Sequence, residues 1–361
     1  MRILVFNAGR YLSPEGGAVR FKNLVVQNNP EHEIFWVDPV YSRSTYSSEA
    51  VEREIPHNVH LIKGFKSSSN PLIELWQREK HFLKAVKTAS CDVAVFYNSW
   101  GTYLARRWLK KNKIPLVFDY IDLMHAFRKG LQSKVARWSV VQALKQADLV
   151  ITTAQALFED AKQFNKNVCL ITNGVNIDYF AETRPKPLKH PSVGFVGSLG
   201  EWVDLASLLE TARREPKITF YLVGDGPGHR LVEEAALPNV VLTGFVPYAE
   251  AKNYAASFDV CVVPFKKSEL TDAVSPIKMF EYWALGKPVI AAPTREIKRL
   301  AGKAVIYAST PDELQGGIKR ILEDKELAQL LSNEARKIVL NYDWRALGKE
   351  YLQAIETVIS K

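Results

Sequence analysis

The stretch SPIKMFEYWALGKPVIAAP, residues 275–293, is an apolar segment with two charges set in its first half. Ser275 and Pro276 form a helix-start signal, and Gly286 and Pro288 a stop signal. Between them Lys278 and Glu281 stand three residues apart and so share one helix face. With Ser275 as N-cap and Pro276 in the first helical position, the amides of Ile277 and Lys278 point out of the positive end of the helix, which is an anion site. Lys278 adds a full charge there, and Glu281, a turn further on, suits a pair of vicinal hydroxyls. A nucleoside diphosphate has that layout, with phosphates for the helix start and ribose for Glu281. The competing reading is a surface ion pair between Lys278 and Glu281, worth a few tenths of a kcal/mol. The segment alone leaves both open.

Such a site needs a strand-and-helix frame to hold it, and the chain alternates accordingly. In the first half RILVFNA, HEIFWVD, DVAVFYN, IPLVFDY, DLVITT and NVCLIT read as strands, with helical patterns such as GGAVRFKNLVVQ and SKVARWSVVQALKQA between them. Three prolines and mixed charges in AETRPKPLKHP then break all periodicity. The alternation resumes with SVGFVGS, KITFYLVGDG, NVVLTGF, FDVCVVPF, KPVIAAP and KAVIYAS, and turns purely helical from Pro311. The reading is a Rossmann-like domain over 1–180, a linker over 181–191, a second such domain over 192–342, and a C-terminal helix over 343–361. Both domains are doubly wound α/β with parallel sheets and a cleft between them.

Open parallel sheets bind ligands beyond the carboxyl ends of their strands. The loops expected there are SPEGG (13–17), YNSWG (97–101), DYIDLMHAF (119–127), GSLGEW (197–202), GDGPGH (224–229) and GFVPY (244–248). Asp119, Asp122 and His125 gather after one strand and are candidates to position or deprotonate a substrate hydroxyl. Asp122 as a simple cap of the next helix is the alternative.

Composition narrows the class. The chain has 361 residues, 47% apolar and 24% charged, without low-complexity tracts, so two globular domains are expected. The start Met1-Arg2 followed by the short apolar run 3–6 does not read as a signal peptide, and no run approaches the roughly 18 residues needed to span a bilayer. Cys91, Cys169 and Cys261 have neither disulfide nor zinc spacing and read as buried thiols, which points to the cytoplasm. Of the net +9, residues 1–180 carry +8, from 24 Lys or Arg against 16 Asp or Glu. The densest run, RRWLKKNK (106–113), reads as a solvated helix end. An anionic membrane surface, with the protein peripheral at the inner face, is the alternative. No nucleic-acid-binding motif accompanies it, and no P-loop or first-strand G-x-G-x-x-G is present. Asp-x-Asp is absent as well, which argues against a metal-bridged diphosphate site.

SPIKMFEYWALGKPVIA resembles the signature of retaining GT-B glycosyltransferases of family 4, where a glutamate precedes A-x-G-K-P-V. The resemblance extends to EGGAVRF (Glu15 to Phe21), ADLVITTAQAL, ITNGVNIDYF, YLVGDGPG and LTGFVPYAEAKNYAASFDVCVVPF. FDYIDLMHAF together with SPIKMFEYWALGKP resembles a subgroup associated with teichuronic-acid and other surface-polysaccharide synthesis. The family implies a GT-B fold of two Rossmann-like domains facing a central cleft, with C-terminal helices packing back toward the first. It implies transfer from a nucleotide diphosphate sugar to a sugar or lipid-linked acceptor, with no metal or other cofactor. Gly16 and Gly17 would let backbone approach donor and acceptor. Lys278, the helix start at Ser275 and Ile277, and the amides of Gly197 and Ser198 would hold the diphosphate, Glu281 the ribose, and the backbone around Val246 the base. Arg20, Tyr97, Asn98 and Asp119 would face the acceptor.

Three positions depart from the family pattern. The first of its paired glutamates is replaced by Ala273, with Asp272 or Glu269 as neighbouring substitutes. GSLGEWVDL lacks the usual basic pair, and FYNSWG lacks the usual histidine, leaving His125 as the nearest in a cleft loop. These departures keep two alternatives in play: a binding protein that recognises sugar nucleotides without turning them over, and a sugar-nucleotide epimerase on the same fold.

Overall fold

The computed structural model describes residues 1–11, 16–38, 40–41, 55–66 and 68–359. It divides into two compact units, Met1–Thr172 with Arg345–Lys361, and Asn173–Trp344. Residues 173–180 thus group with the second unit, where the sequence reading has the first domain running to 180.

The first unit is built from β1 (Arg2–Phe6), α1 (Gly16–Phe21), β2 (Glu33–Val37), β3 (Val40–Tyr41), β4 (Val59–Ile62), β5 (Phe65–Lys66) and α2 (Pro71–Thr88). It continues with β6 (Val93–Phe96), α3 (Tyr103–Lys111), β7 (Leu116–Tyr120), α4 (Gly130–Gln146), β8 (Leu149–Thr152), α5 (Gln155–Lys162) and β9 (Val168–Leu170). Seven strands form one parallel sheet in the order β4-β2-β1-β6-β7-β8-β9. Every residue of β6, β7 and β8 is buried, and these strands read as apolar runs instead of alternating ones, broken by Asp119 in β7 and Thr152 at the end of β8. The helix expected over 16–27 is α-helical only to Phe21 and continues as a π-helical turn, Lys22–Val26, closed by the Gln27 N–H onto Lys22 O at 2.9 Å.

The second unit holds α6 (Ile177–Ala181), β10 (Ser192–Val196), α7 (Leu205–Arg214), β11 (Thr219–Val223), α8 (His229–Ala235), β12 (Val240–Gly244) and α9 (Tyr248–Ser257). Then follow β13 (Val260–Val263), α10 (Glu269–Asp272), α11 (Ile277–Ala284), β14 (Val289–Ala291), α12 (Arg295–Ala301), β15 (Ile306–Tyr307), α13 (Pro311–Glu323) and α14 (Lys325–Val339). Its six strands are parallel in the order β12-β11-β10-β13-β14-β15. The segment read as a linker is fastened along this unit: the amides of Arg184, Lys186 and Lys189 donate to Asn253 Oδ1, Ser257 Oγ and Tyr221 Oη at 2.8, 2.6 and 2.8 Å. A last helix, Trp344–Ile359, ends the described chain.

Each sheet reverses its strand order once, between β1 and β6 in the first unit and between β10 and β13 in the second. Loops leaving the carboxyl ends of such a strand pair diverge and open a crevice, the usual ligand position in doubly wound sheets.

Candidate active site

In the second unit Lys278 occupies that reversal point. Its Nζ lies 4.9 Å from the Phe195 ring centroid on β10 and 5.2 Å from that of Phe265, just past β13. The two rings receive the ammonium on their faces. Gly197, at φ +133°, leaves the space for it: a β-carbon there would stand 3.1 Å from Lys278 Cε and 3.2 Å from Nζ. The neighbouring loop is pressed as closely, since a β-carbon on Gly224 would meet Gly197 O at 2.1 Å. Burial lowers the Lys278 pKa to about 8, partly opposed by the charge of Glu281.

Among the described residues Lys278 and Glu281 form no ion pair within 4.0 Å and neither is exposed, so the surface-pair reading does not describe them. Glu281 is 9% exposed, in the buried run 279–283 of α11. Its Oε1 accepts a 2.6 Å hydrogen bond from the Tyr248 hydroxyl, at the start of α9. Tyr248 stacks on Tyr179 with centroids 5.6 Å apart and planes within 2°. Lys252 covers the Tyr179 ring at 3.8 Å and donates to Tyr179 O at 2.8 Å. Burial raises the Glu281 pKa, against the Tyr248 hydrogen bond and the charge of Lys278, both of which lower it. Val246, in the loop before Tyr248, packs its side chain against the apolar core under α11.

Several expected roles change here. Ser275 does not cap α11, because Pro276 holds the N-cap position without a side-chain bond. Ser275 is instead buried and binds Asn173: its Oγ accepts from the Asn173 N–H at 3.3 Å and its carbonyl from Asn173 Nδ2 at 2.8 Å. The Gly197 amide is committed to Val223 O at 2.9 Å, so it has no proton to offer a phosphate. Ser198 is exposed beside it, and Ile277 is half-buried in the first turn of α11. Asp272 Oδ1 accepts the Arg295 amide at 2.7 Å and thereby serves the start of α12. Glu269 is exposed, and Ala273 is fully buried.

In the first unit the reversal point is held by Asn7, whose side chain donates to Asn98 O and Trp100 O at 2.8 and 3.0 Å. Asn98 turns its own Oδ1 onto the Trp100 amide at 2.9 Å. Gly16 and Gly17 open α1, while Glu15 lies outside the described residues. Arg20 and Asp119 do not face an acceptor. They form a buried pair, 1% and 0% exposed by side chain, at 3.0 Å. Two further Arg20 nitrogens donate to Thr172 O and Ile171 O, both at 2.7 Å. Tyr97 is also buried, 3.4 Å from the Tyr351 hydroxyl, and burial holds both phenols well above their ordinary range. A cation buried in α1 accounts for Asp119: the carboxylate is its counter-ion.

Asp122 behaves differently. It does not cap a helix, since α4 starts at Gly130 behind Lys129. Among the described residues its carboxylate has neither a hydrogen-bond partner nor a salt bridge, and burial alone raises its pKa to about 7. A carboxyl poised near neutral pH is what general base catalysis requires. His125, half-buried in the same loop, accepts the Arg128 amide and the Ser133 hydroxyl on its carbonyl at 3.1 and 2.9 Å. Sequence reasoning missed Phe195, Phe265, Tyr179 and Tyr248. All four lie in quoted stretches, Phe195 in SVGFVGS, Tyr179 in ITNGVNIDYF, Tyr248 in GFVPY and Phe265 in FDVCVVPF, yet no spacing rule links Tyr248 to Glu281.

Among the described residues no group of three or more His, Cys, Asp or Glu is arranged to hold a metal ion, and no helix is long and apolar enough to cross a membrane. Residues 190–324 match the family model for glycosyl transferases group 1. Over 253 residues the chain is 24% identical to the teichuronic acid biosynthesis glycosyltransferase TuaH of Bacillus subtilis, covering 64% of this chain. It spans about three fifths (62%) of that curated relative's length. Among solved structures it is similar to sucrose-phosphate synthase of Thermosynechococcus elongatus, at TM-score 0.78 and 17% identity over 99% of both chains. It is similar to Anabaena HepE in complex with UDP-glucose at TM-score 0.74 and 17% identity, again over 99% of both. The fold is therefore GT-B, and its second unit carries a group 1 glycosyltransferase domain.

Proposed function

We propose that this chain, a GT-B protein with a group 1 glycosyltransferase domain, moves a sugar from a nucleoside diphosphate sugar to an acceptor hydroxyl in surface-polysaccharide or glycolipid synthesis. The observation that carries the reading is Lys278: an ammonium at the strand-order reversal, bedded on Phe195 and Phe265 and lacking a carboxylate partner within 4.0 Å among the described residues. An incoming diphosphate supplies the missing counter-charge. The first-turn amides of α11 add the positive end of the helix. Glu281 Oε1 is fixed by Tyr248, which leaves Oε2 for the ribose hydroxyls. A uridine diphosphate sugar is the first donor to try, since HepE is seen with UDP-glucose.

As the glycosidic bond to the diphosphate lengthens, negative charge grows on the leaving oxygen and positive charge on the sugar. Lys278 stabilises the first, and Asp122 takes the proton of the acceptor hydroxyl. Retention of the anomeric configuration follows the family resemblance. No metal is part of this reading, because Lys278 and the helix start supply the positive charge; turnover should survive a chelator. The acceptor is a sugar or lipid-linked sugar, met at the cytoplasmic side of a membrane.

Lys278→Ala tests the reading. One preorganised electrostatic contact contributes roughly 10²–10³ in kcat, so release of nucleoside diphosphate should fall by about that factor while the circular dichroism spectrum is kept. Turnover like that of the unchanged protein would remove Lys278 from the site. Product analysis settles the alternatives, since a pure binder releases no nucleoside diphosphate and an epimerase alters the donor without an acceptor.

A further inference from the structure

The first unit has a surface that the proposed chemistry does not use. The steps β4 to β6, β6 to β7 and β7 to β8 all run in one direction across the sheet. Right-handed crossovers then place α2, α3 and α4 on one face, where α2 packs on α3 and α3 on α4. Each helix returns to the amino end of the next strand, so each begins at the carboxyl edge of the sheet.

Large apolar side chains are exposed at the beginnings of α2 and α3 and over the first half of α4. Leu72 (77% exposed), Ile73 and Trp76 (57%) lie in the first two turns of α2, and Leu104 lies in the first turn of α3. On α4, Leu131 (75%), Val135 and Trp138 (59%) recur at intervals of four and three residues and make one stripe. A monomer surface seldom gathers so much apolar side chain at one edge without a partner.

Charge says which partner. Helices α3 and α4 together carry seven Lys or Arg and no Asp or Glu. Residues 71–147 hold 14 Lys or Arg against 5 Asp or Glu, an excess equal to the net +9 of the whole chain. The cations are set among the apolar residues: Lys80 lies 3.7 Å over the Trp76 ring, Arg107 is exposed three residues from Leu104, and exposed Lys134 stands between Leu131 and Trp138. Not all of the run is surface, since Arg106 is buried against Phe96 and bonded to Gln146. Tryptophan with aliphatic neighbours suits the boundary between headgroups and acyl chains, and interleaved Lys and Arg suit anionic headgroups.

We infer that the face built by α2, α3 and α4 docks on an anionic lipid bilayer, with Trp76 and Trp138 entering the interface and Lys80, Arg107, Lys129 and Lys134 pairing with headgroups. The apolar rim lies at the same edge of the sheet as the Asp122 loop. A lipid-linked acceptor lying in that bilayer would present its hydroxyl at the level of the candidate base. The inference deepens the glycosyltransferase reading by naming where the acceptor is presented, and rests on it for that alone; lipid binding is measured separately from turnover.

The test is co-sedimentation of the full chain with vesicles of phosphatidylcholine alone, or with a third phosphatidylglycerol. Binding is expected only to the anionic vesicles and should fall as salt rises. Arg107→Gln with Lys129→Gln and Lys134→Gln should weaken it by roughly fivefold per charge. Trp76→Ala with Trp138→Ala should abolish binding at physiological salt. Both sets lie outside the proposed donor and acceptor chemistry, so release of nucleoside diphosphate with a water-soluble acceptor should not change. Binding that ignores these substitutions, or equal binding to neutral vesicles, would overturn the inference. So would a dimer in sedimentation velocity that the tryptophan substitutions dissociate, since the face would then belong to a second copy of the chain. Loss of turnover with lipid binding intact would count against the glycosyltransferase reading and not against the docking face.

Discussion

Replacing Tyr248 by Phe isolates one hydrogen bond. The Tyr248 hydroxyl donates to Glu281 Oε1 at 2.6 Å, and the ring stacks on Tyr179 with planes within 2°. Phenylalanine keeps the ring and its stack, so the change removes only the donor. Hydrogen bonds to a charged group contribute about 1.5–3 kcal/mol, and Glu281 is nearly buried while Tyr248 is 47% exposed. The sign follows from the two forms of the carboxyl. Burial raises the Glu281 pKa and the Tyr248 bond pulls it back down by stabilising the anion. Without that bond the protonated form gains, and a protonated carboxyl with a free rotamer is a poorer acceptor for two ribose hydroxyls. If the whole of that energy is felt in the bound state, Kd for a nucleoside diphosphate rises by roughly 10- to 150-fold. Isothermal titration with UDP at several pH values reads it directly, and affinity should recover partly as pH rises and Glu281 ionises again. A purely structural Tyr248 would lower the melting temperature and leave Kd unchanged at every pH. That result would refute the claim that Tyr248 presents Glu281 to the ribose.

Three other substitutions or profiles follow from the same geometry. Gly197→Ala puts a β-carbon about 3.1 Å from the Lys278 side chain at φ +133°. It should lose about 1–3 kcal/mol of stability through backbone strain and weaken diphosphate binding as Lys278 shifts. Gly302→Ala, at φ +51° with open space around it, should show strain alone, so equal donor affinities in the two variants would contradict the packing argument. Asp119→Asn leaves Arg20 buried beside a neutral group, and denaturant unfolding should show a loss of about 3–5 kcal/mol with UDP affinity intact; unchanged stability would contradict the counter-ion assignment. The pH profile of kcat/KM should be a narrow bell, rising through about 7 as Asp122 loses its proton and falling through about 8 as Lys278 loses its own. Asp122→Asn should abolish the rising limb with most of the activity, and Lys278→Arg should move the falling limb out of range.

The frame was legible because both sheets are parallel and covered on both faces, so most of their strands are apolar runs such as VAVF and VCVV. What escaped was local or long-range. The Val59–Ile62 strand, with mixed burial at the sheet edge, carries too weak a pattern to stand out. The π-helical turn in 22–26 departs from α-helix by one hydrogen-bond register, which side-chain periodicity over five residues does not resolve. The Ser275-Pro276 pair looked like a cap followed by a first helical residue, yet the Ser275 hydroxyl serves Asn173, 102 positions away. Contacts of that range, like Tyr248 with Glu281 across 33 positions, are set by how the strands order themselves and leave no local mark.

Arg20 and Asp119 on one side, and Lys278 and Asp122 on the other, show how burial sorts charged residues that sequence treats alike. Each of the four carried a functional expectation, Lys278 from its helix start, Asp119 and Asp122 from their place after a strand, and Arg20 from the family resemblance. Taking a charge out of water is expensive unless a partner replaces the lost hydration. Arg20 has that replacement in full, from Asp119 and two carbonyls at 2.7 Å. Such a pair has nothing left to offer a substrate, and its loss should be felt in stability. Lys278 has only the faces of two rings, and Asp122 has no protein partner among the described residues. The pKa of each has moved toward neutral pH for that reason, Lys278 down to about 8 and Asp122 up to about 7. A folded chain that keeps both groups half-buried and unpaired forgoes stability at each, and a ligand carrying the complementary charge or proton is what would restore it. Saturating UDP should therefore stabilise the unchanged protein by RT ln(1 + [L]/Kd), about 2.7 kcal/mol at a hundredfold excess over Kd. Lys278→Met should raise the melting temperature of the ligand-free protein while removing most of that gain. A ligand-free Lys278→Met protein less stable than the original would mean that the ammonium is already satisfied, and the argument from its isolation would fail.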